Sequence, residues 1–176
     1  MAGVKTLADG RIKLAVLTTK PTNPAAPTLT EINAGTDASL LAAKSSTRVT
    51  PSGSDMINDP ELGSSSNAPV FGPSNYDGTI APFWMLDATT GKYAAADNPL
   101  YEALTPKGSR VWLYFREGPE SSTNWATGDV VDGYEVVTDD PQRPTETGGY
   151  VKRIIPLGVQ NAYLDITIAA GSGTGS

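Results

Sequence analysis

Carboxylates are the side chains in this chain best suited to acid–base or metal chemistry, because its 176 residues include no histidine and no cysteine. Asp55, Asp59 and Glu61 lie close together and could supply oxygen ligands to a calcium ion. Their spacing matches no calcium-loop motif, so a solvated loop is the stronger interpretation. Asp139 and Asp140 could supply one member of a catalytic carboxylate pair. Nothing identifies a second member, and the proline that follows them indicates a turn.

Motifs for nucleotide binding and nucleophilic catalysis are also absent from the sequence. It contains no Gly-x-Gly-x-x-Gly, no phosphate-binding Gly-Lys-Ser/Thr and no Gly-x-Ser-x-Gly elbow. We therefore predict that the protein is not an enzyme, binds no cofactor and holds no metal ion.

Two aromatic and two basic side chains stand out in the stretch 109–116. Alternation along an extended strand places Arg110, Trp112, Tyr114 and Arg116 on one face. Burying one large aromatic removes roughly 150–250 Å² from solvent, which is worth at most about 4–6 kcal/mol at ~25 cal/mol per Å². Two interpretations remain open: the face is covered within its own domain, for example by a helix, or it packs against another subunit. The four residues are therefore candidates for a subunit interface.

The opposite face of the same stretch predicts the core of the domain. It presents Val111, Leu113 and Phe115, which alternate with the aromatic face. A closing strand at 161–169 adds three core candidates by the same alternation: Leu164, Ile166 and Ile168.

The elements that position these residues predict a mainly β fold. Alternating apolar residues and runs of β-branched residues predict strands at 11–18, 28–32, 79–88, 109–116, 129–138, 149–157 and 161–169. One short flanking helix is predicted from Pro99 to Leu104, because Asn98 suits the N-cap and proline suits the first helical position. Residues 37–44 fit either a helix or a strand.

Large apolar residues are unevenly distributed along the chain. Leu, Ile, Val and Phe number 7 in residues 19–68 but 15 in residues 109–168. Residues 45–68 show little periodicity and predict a long loop. A structureless loop of that length inside a compact monomer is unusual, so it is either a linker or an excursion that pairs with a neighbour.

We predict a single domain over residues 1–169. Residues 1–10 form an extended N-terminal arm, and residues 170–176, rich in Gly and Ser, form a flexible tail. No stretch approaches the roughly 18 apolar residues of a membrane helix, so we expect no membrane partner.

Charge is as uneven as hydrophobicity. The net charge is −6, but residues 1–50 carry six basic and three acidic groups, whereas residues 117–146 carry eight acidic groups and one arginine. This balance argues against tight nucleic-acid binding by the whole chain. The N-terminal part of one copy could meet the acidic part of the next, although such blocks are also typical of solvated loops.

Several segments, in a constant order, resemble the major tail (tail tube) proteins of long-tailed, non-contractile bacteriophages, especially those of actinobacterial hosts. The opening segment is Pro-Thr-Leu-Thr-Glu-Ile-Asn-Ala-Gly-Thr-Asp-Ala-Ser-Leu-Leu at 27–41, after an N-terminal strand. A Ser/Thr-rich middle, a Tyr-Asp-Gly turn at 76–78, a short helix, Lys-Gly at 107–108, Gly-Asp-Val-Val at 128–131 and a closing pair of strands follow. The resemblance spans roughly residues 10–169.

This resemblance implies a tail-tube-type β-sandwich or barrel whose subunits form hexameric rings stacked into a hollow tube in the virion. Genome DNA would pass through it into the host without tight binding. Further partners would be the tape-measure protein, the tail terminator and distal tail or baseplate proteins, with synthesis in the host bacterial cytoplasm. In this family long loops and terminal arms bridge neighbouring subunits. The alternative is a monomeric β-sandwich that binds carbohydrate or a cell surface through Trp112, Tyr114 or Trp125.

Overall fold

The computed structural model describes residues 5–59, 62–63, 69–145 and 148–171. In these ranges the chain forms nine strands and two short α-helices. The strands are β1 (Ile12–Leu17), β2 (Thr36–Asp37), β3 (Arg48–Ser52), β4 (Met56–Ile57), β5 (Val70–Phe71), β6 (Asn75–Ile80), β7 (Arg110–Glu117), β8 (Val130–Thr138) and β9 (Ile155–Thr167). The helices are α1 (Leu29–Ala34) and α2 (Pro99–Leu104), with 3₁₀ turns at Lys44–Ser46 and Ala95–Asp97.

Seven of the strands form one antiparallel sheet in the order β2-β1-β7-β8-β9-β6-β3. The predicted core strand, β7, lies between β1 and β8, so that Leu113 pairs with Val16 on one side and with Tyr134 on the other. β4 and β5 form a separate two-stranded ribbon. The prediction of a mainly β fold is confirmed.

β9 is a single strand of 13 residues where the sequence predicted two strands, at 149–157 and 161–169. This prediction is wrong because the interruption between them is a bulge and not a turn. The register against β8 shifts twice, and each shift leaves one extra residue on β9. Extra residues bend a strand and increase its twist. The bent β9 pairs with β8 and also, through residues 155–157, with β6.

The second bulge corrects the core predicted for this strand. Asp165 has a positive φ of 53°, and its backbone N–H donates to Asp132 Oδ1 at 2.9 Å. The alternation of faces breaks there, so Leu164 is 43 % exposed and its assignment to the core is wrong. Ile168 is buried, and Ile166 is partly buried against the same cluster.

Helix α2 begins and ends where the sequence predicted, with Leu100 and Leu104 buried. The side chain of Asn98 does not cap the helix as predicted. It accepts a hydrogen bond from the backbone N–H of Met85 and donates to the carbonyls of Met85 and Ala94. Asn98 therefore fastens the preceding loop to the start of the helix.

Helix α1 lies where the sequence predicted a strand at 28–32, so that prediction is wrong. Thr28 and Glu31 form a capping box, in which the Glu31 N–H donates to Thr28 Oγ1 (3.2 Å) and the Thr28 N–H donates to Glu31 Oε2 (2.8 Å). The Thr-x-x-Glu signature is visible in the sequence. Local capping, together with burial of Ile32, outweighed the strand propensity of the threonines and the isoleucine.

The predicted long loop at 45–68 contains a strand of the main sheet. β3 pairs with β6 over five residues, from Arg48 opposite Thr79 to Ser52 opposite Asn75. β4 also falls within this segment. The prediction of a structureless loop is therefore wrong for residues 48–52. Residues 60–61 and 64–68 of the predicted loop lie outside the described ranges.

Two smaller predictions are also settled by the structure. The strand expected at 79–88 is instead β6, which ends at Ile80, and isolated bridges follow it. Residues 37–44 are neither helix nor strand, because β2 ends at Asp37 and turns lead into a 3₁₀ turn. In the predicted arm, residues 5–10 form no strand or helix; residues 1–4, and 172–176 of the predicted tail, lie outside the described ranges.

The sheet has an apolar cluster on each face. On one face Val111 and Leu113 pack with Leu100 and Leu104 of α2, and Phe115 packs partly buried at the margin. On the other face Trp112 and Tyr114 pack in a second cluster with side chains of α1 and of the loop after β7. Both faces of β7 are therefore covered.

Candidate functional site

The aromatic face of β7 is covered by the same chain. Trp112 and Tyr114 are buried in the cluster that contains Ile32 of α1 and Trp125. The Tyr114 hydroxyl donates to the carbonyl of Pro24 at 3.1 Å, and burial raises the pKa of Tyr114. Of the two arrangements that the sequence left open for these aromatics, the single chain shows packing under a helix.

Gly133 is a residue that the sequence reading missed and that this packing requires. A Cβ atom at Gly133 would lie 2.7 Å from Cε1 of Tyr114, which is closer than two carbon atoms approach. A glycine within a strand pattern is typical of such a close approach. The ring of Tyr114 therefore lies across the backbone of β8.

Arg116 is also buried, with 1 % of its surface exposed. Its guanidinium donates to the side chain of Asp129 (2.7 Å) and to three backbone carbonyls, those of Glu120 (3.2 Å), Thr123 (2.9 Å) and Asn124 (3.0 Å). It also lies 5.0 Å from the ring centre of Trp125, a cation–π distance. All these partners belong to the loop that follows β7, so the hydrogen bonds of Arg116 are made within its own chain.

Arg110 is the member of the predicted set that remains exposed. Its Nη1 donates to Oε1 of the buried Glu135 at 2.8 Å. Lys107 likewise pairs with Asp139 and Asp140, at 2.6 and 3.2 Å. With the Arg116 pair, four of the eight acidic residues in 117–146 are matched by cations just before that segment. Ion pairs within the same chain therefore neutralise part of the acidic surface that was predicted to meet another copy.

The carboxylates considered for chemistry are spread over the surface. Asp55 and Asp59 are exposed, Glu61 lies outside the described ranges, and hydrogen bonding from Lys107 lowers the pKa of Asp139. In the part of the chain that the structure describes, no three Asp, Glu, His or Cys side chains are grouped to hold a metal ion. None of the helices described there is long and apolar enough to cross a membrane.

The aromatic side chains proposed as sugar-stacking platforms have no free ring face. Trp112 and Tyr114 lie under α1, and Trp125 is buried beneath Arg116 and Lys13, whose Nζ is 5.7 Å from the ring centre. Stacking on a sugar requires an accessible aromatic face. None of the three residues on which the carbohydrate-binding alternative was based is therefore available to stack on a sugar.

A group of exposed apolar side chains lies instead on the ribbon formed by β4 and β5, hereafter the apolar ribbon. Met56 pairs with Phe71 and Ile57 with Val70, and each of the four is between 56 % and 75 % exposed. Two strands by themselves are marginally stable in water, and clustered exposed apolar groups mark interaction surfaces. The available sequence signal was two apolar pairs within a polar, Ser-rich segment.

A cavity of about 380 Å³ opens at the margin of the first apolar cluster. Leu14, Val49 and Phe115 line it, which explains why Phe115 is only partly buried. Leu40 also lines the cavity and is 82 % exposed. The cavity is thus an apolar recess whose edge is open to solvent.

The exposed apolar ribbon of this antiparallel β fold offers a surface for contact with other protein chains. A family model described as phage tail tube protein matches residues 1–172. Because the match covers nearly the whole chain, the chain belongs to the phage tail tube protein family, and the resemblance to tail tube proteins seen in the sequence is confirmed. A comparison with curated proteins found no match.

Proposed function

We propose that the chain assembles into hexameric rings that stack head to tail to form the tail tube, through which genome DNA passes into the host. The observation that carries this proposal is the apolar ribbon, whose four large side chains are mostly exposed in the single chain. Membership of the tail tube family supports the tube. The number of subunits in a ring follows from the family resemblance.

The energetics of the ribbon favour assembly through many contacts over a simple dimer. Burying the exposed part of each of its four side chains is worth roughly 1–2 kcal/mol. The sum is similar to the roughly 4–15 kcal/mol of entropy lost when two molecules associate. One contact is therefore marginal, whereas a closed ring in which every subunit makes several contacts is stable. We expect assembly to be cooperative and steeply dependent on concentration.

The acidic balance suits a conduit for DNA. With a net charge of −6, the subunit repels phosphates, which lets DNA slide instead of adhering. We expect no retardation of duplex DNA by assembled tubes at physiological salt. A micromolar affinity that weakens with added salt would contradict the sliding argument.

The remaining partners follow from the same proposal. A tape-measure protein would fill the tube before ejection, and tail terminator and distal tail or baseplate proteins would close its two ends. The protein would be made in the cytoplasm of the bacterial host and would function in the virion.

Electron microscopy of concentrated protein tests the proposal. We expect hollow tubes with a regular axial repeat for the wild type, and loss of tubes for Phe71→Asp, which places a charge in the apolar ribbon. Leu86→Asp is the matched control, because Leu86 is an exposed leucine in the loop before α2. A wild-type protein that stays monomeric at high concentration, by sedimentation and by microscopy, would overturn the proposal.

A further inference from the structure

We propose that the apolar ribbon of one copy docks into the 380 Å³ cavity of a second copy, against Leu40 at its edge. The inference rests on the proposed function and names the receptor surface for the ribbon. The ribbon and the cavity are both apolar, and each is open to solvent in the single chain.

The ribbon cannot fill the cavity of its own chain without refolding. β3 separates the two: Val49, near the start of β3, lines the cavity, and Met56 of the ribbon lies seven residues further along. Seven extended residues span on the order of 20 Å. Hydrogen bonds from Gly72 N–H to the Asp55 carbonyl (2.7 Å) and from Asn75 Nδ2 to the Gly53 carbonyl (3.3 Å) hold the ribbon as a continuation of the β3–β6 pair.

The dimensions and chemistry of the cavity fit side chains of the ribbon. A volume of 380 Å³ lies in the range of about 300–1,000 Å³ that accommodates drug-sized ligands, so one large aromatic and a neighbouring aliphatic side chain fit. Phe71 is the most exposed of the four ribbon side chains. Leu14, Val49 and Phe115 offer it an apolar wall, and Leu40 extends that wall outward.

Charges next to the two surfaces give the contact a direction. Asp55 and Asp59 flank β4 and are exposed. Arg48 lines the cavity and forms no ion pair with any residue that the structure describes. Glu117 and Asp132 line the cavity on the β7–β8 side. The acidic flank of an incoming ribbon is therefore attracted to the β3 side and repelled from the β7–β8 side.

A contact between two different surfaces of the same chain is heterologous. Such contacts propagate, either into closed rings or into open stacks, and do not terminate at a dimer. Docking of ribbon into cavity would therefore join successive copies in one direction, which is what a tube requires.

The absence of cysteine allows a direct crosslinking test in the full chain. Two variants, Phe71→Cys and a tagged Leu40→Cys, are mixed, assembled and treated with a short bismaleimide, which tolerates a longer separation than the about 4.4–6.8 Å between Cα atoms of a disulfide. The control mixture pairs Phe71→Cys with a tagged Leu86→Cys. We expect the mixed crosslinked dimer of Phe71→Cys with Leu40→Cys to form several-fold more in tubes than the control dimer, and neither to form in dilute monomer.

Failure of this inference is distinguishable from failure of the proposed function. Tubes in which Phe71→Cys crosslinks no better to Leu40→Cys than to Leu86→Cys would overturn the docking and leave the tube intact. No assembly of any kind would contradict both. As a second test, Leu40→Glu should prevent assembly while the thermal midpoint of the monomer is unchanged, because Leu40 is exposed. Normal tubes from Leu40→Glu would overturn the docking.

Discussion

Arg116 shows how one side chain organises a loop. A buried guanidinium is costly unless its donors are matched, and here four oxygens from residues 120–129 accept hydrogen bonds from Nη1 and Nη2, while Nε is without a partner among the described residues. The loop that supplies them also supplies Trp125, which covers the second face of β7. Arg116, a candidate for a subunit interface in the sequence, therefore holds a loop of its own chain against β7.

The first prediction concerns this cluster. Arg116→Met should lower the free energy of unfolding of the unassembled protein by about 3 kcal/mol, because it leaves Asp129 and three carbonyls without their donor. Urea unfolding followed by Trp fluorescence measures the change. Arg48→Met, at an exposed arginine, is the control and should be nearly neutral. If both substitutions lowered the free energy of unfolding equally, the hydrogen bonds of Arg116 would contribute no more to stability than an exposed arginine does.

The second prediction concerns Glu31 in the capping box of α1. Burial opposes its charge, but hydrogen bonds from the backbone N–H groups of Thr22 and Thr28 and from the Thr28 hydroxyl outweigh that cost and lower its pKa from 4.5 to about 2. A carboxylate with a depressed pKa contributes stability above its ordinary value, and this contribution is lost as the pH falls from 4.5 towards 2. The capping group is therefore a stability element at neutral pH.

Glu31→Gln removes the charge and keeps the shape of the side chain. We expect the variant to be less stable than the wild type by about 1 kcal/mol at neutral pH, and the difference to disappear near pH ~2. Urea unfolding at the two pH values measures it. A difference that does not change with pH would mean that the charge of Glu31 is not what stabilises α1.

At the scale of elements, the two bulges of β9 decide the shape of the sheet. They let one strand of 13 residues pair with β8 along most of its length and with β6 at its beginning. The β3–β6 pair is thereby attached to the sheet, and the apolar ribbon extends from that pair. β9 therefore connects the pair that carries the ribbon to the rest of the sheet.

The third prediction tests the bulge at Asp165. A β-branched residue tolerates a positive φ poorly, so Asp165→Val should cost about 1–2 kcal/mol of stability. Asp165→Gly should be neutral or slightly stabilising, since glycine adopts the observed φ of 53° without strain. Thermal unfolding of the two variants side by side gives the comparison. A valine variant as stable as the glycine variant would rule out a left-handed residue at this position.

At the scale of the whole molecule, a well-packed sheet coexists with a ribbon whose apolar side chains are mostly exposed. β3 is hydrogen-bonded to β6 within the sheet, whereas among the residues that the structure describes β4 and β5 form strand pairs only with each other. The two parts of the predicted loop at 45–68 should therefore behave differently on assembly.

The fourth prediction is a hydrogen-exchange pattern. Amides of β4 and β5 should exchange fast in the monomer and slowly in tubes, because assembly buries them. Amides of β3 that pair with β6 should be protected in both states. Exchange is compared by mass spectrometry of the dilute and assembled protein. Protection of β4 and β5 that is the same in both states would exclude ordering coupled to assembly.

The sequence by itself determined the features that depend on local signals. The mainly β class, α2 with its proline at the first helical position, and strands β7 and β8 follow from propensity and alternation over short windows. The ordered series of segments typical of tail tube proteins pointed to the phage tail tube family, and the family match confirms it. The capping box of α1 was equally local and was visible in the residues.

Only the tertiary structure decided which surfaces remain uncovered. Trp112 is buried because α1, far away in the sequence, packs against it, and Arg116 is buried because the loop after β7 folds back over it. Alternation within β7 holds no information about either contact. The bulge that turned Leu164 outward depends on pairing with β8, many residues away. The apolar ribbon and the cavity are likewise products of long-range pairing. Whether a face is covered depends on contacts between segments that are far apart in the sequence. The candidate assembly surface could therefore be identified only from the tertiary structure.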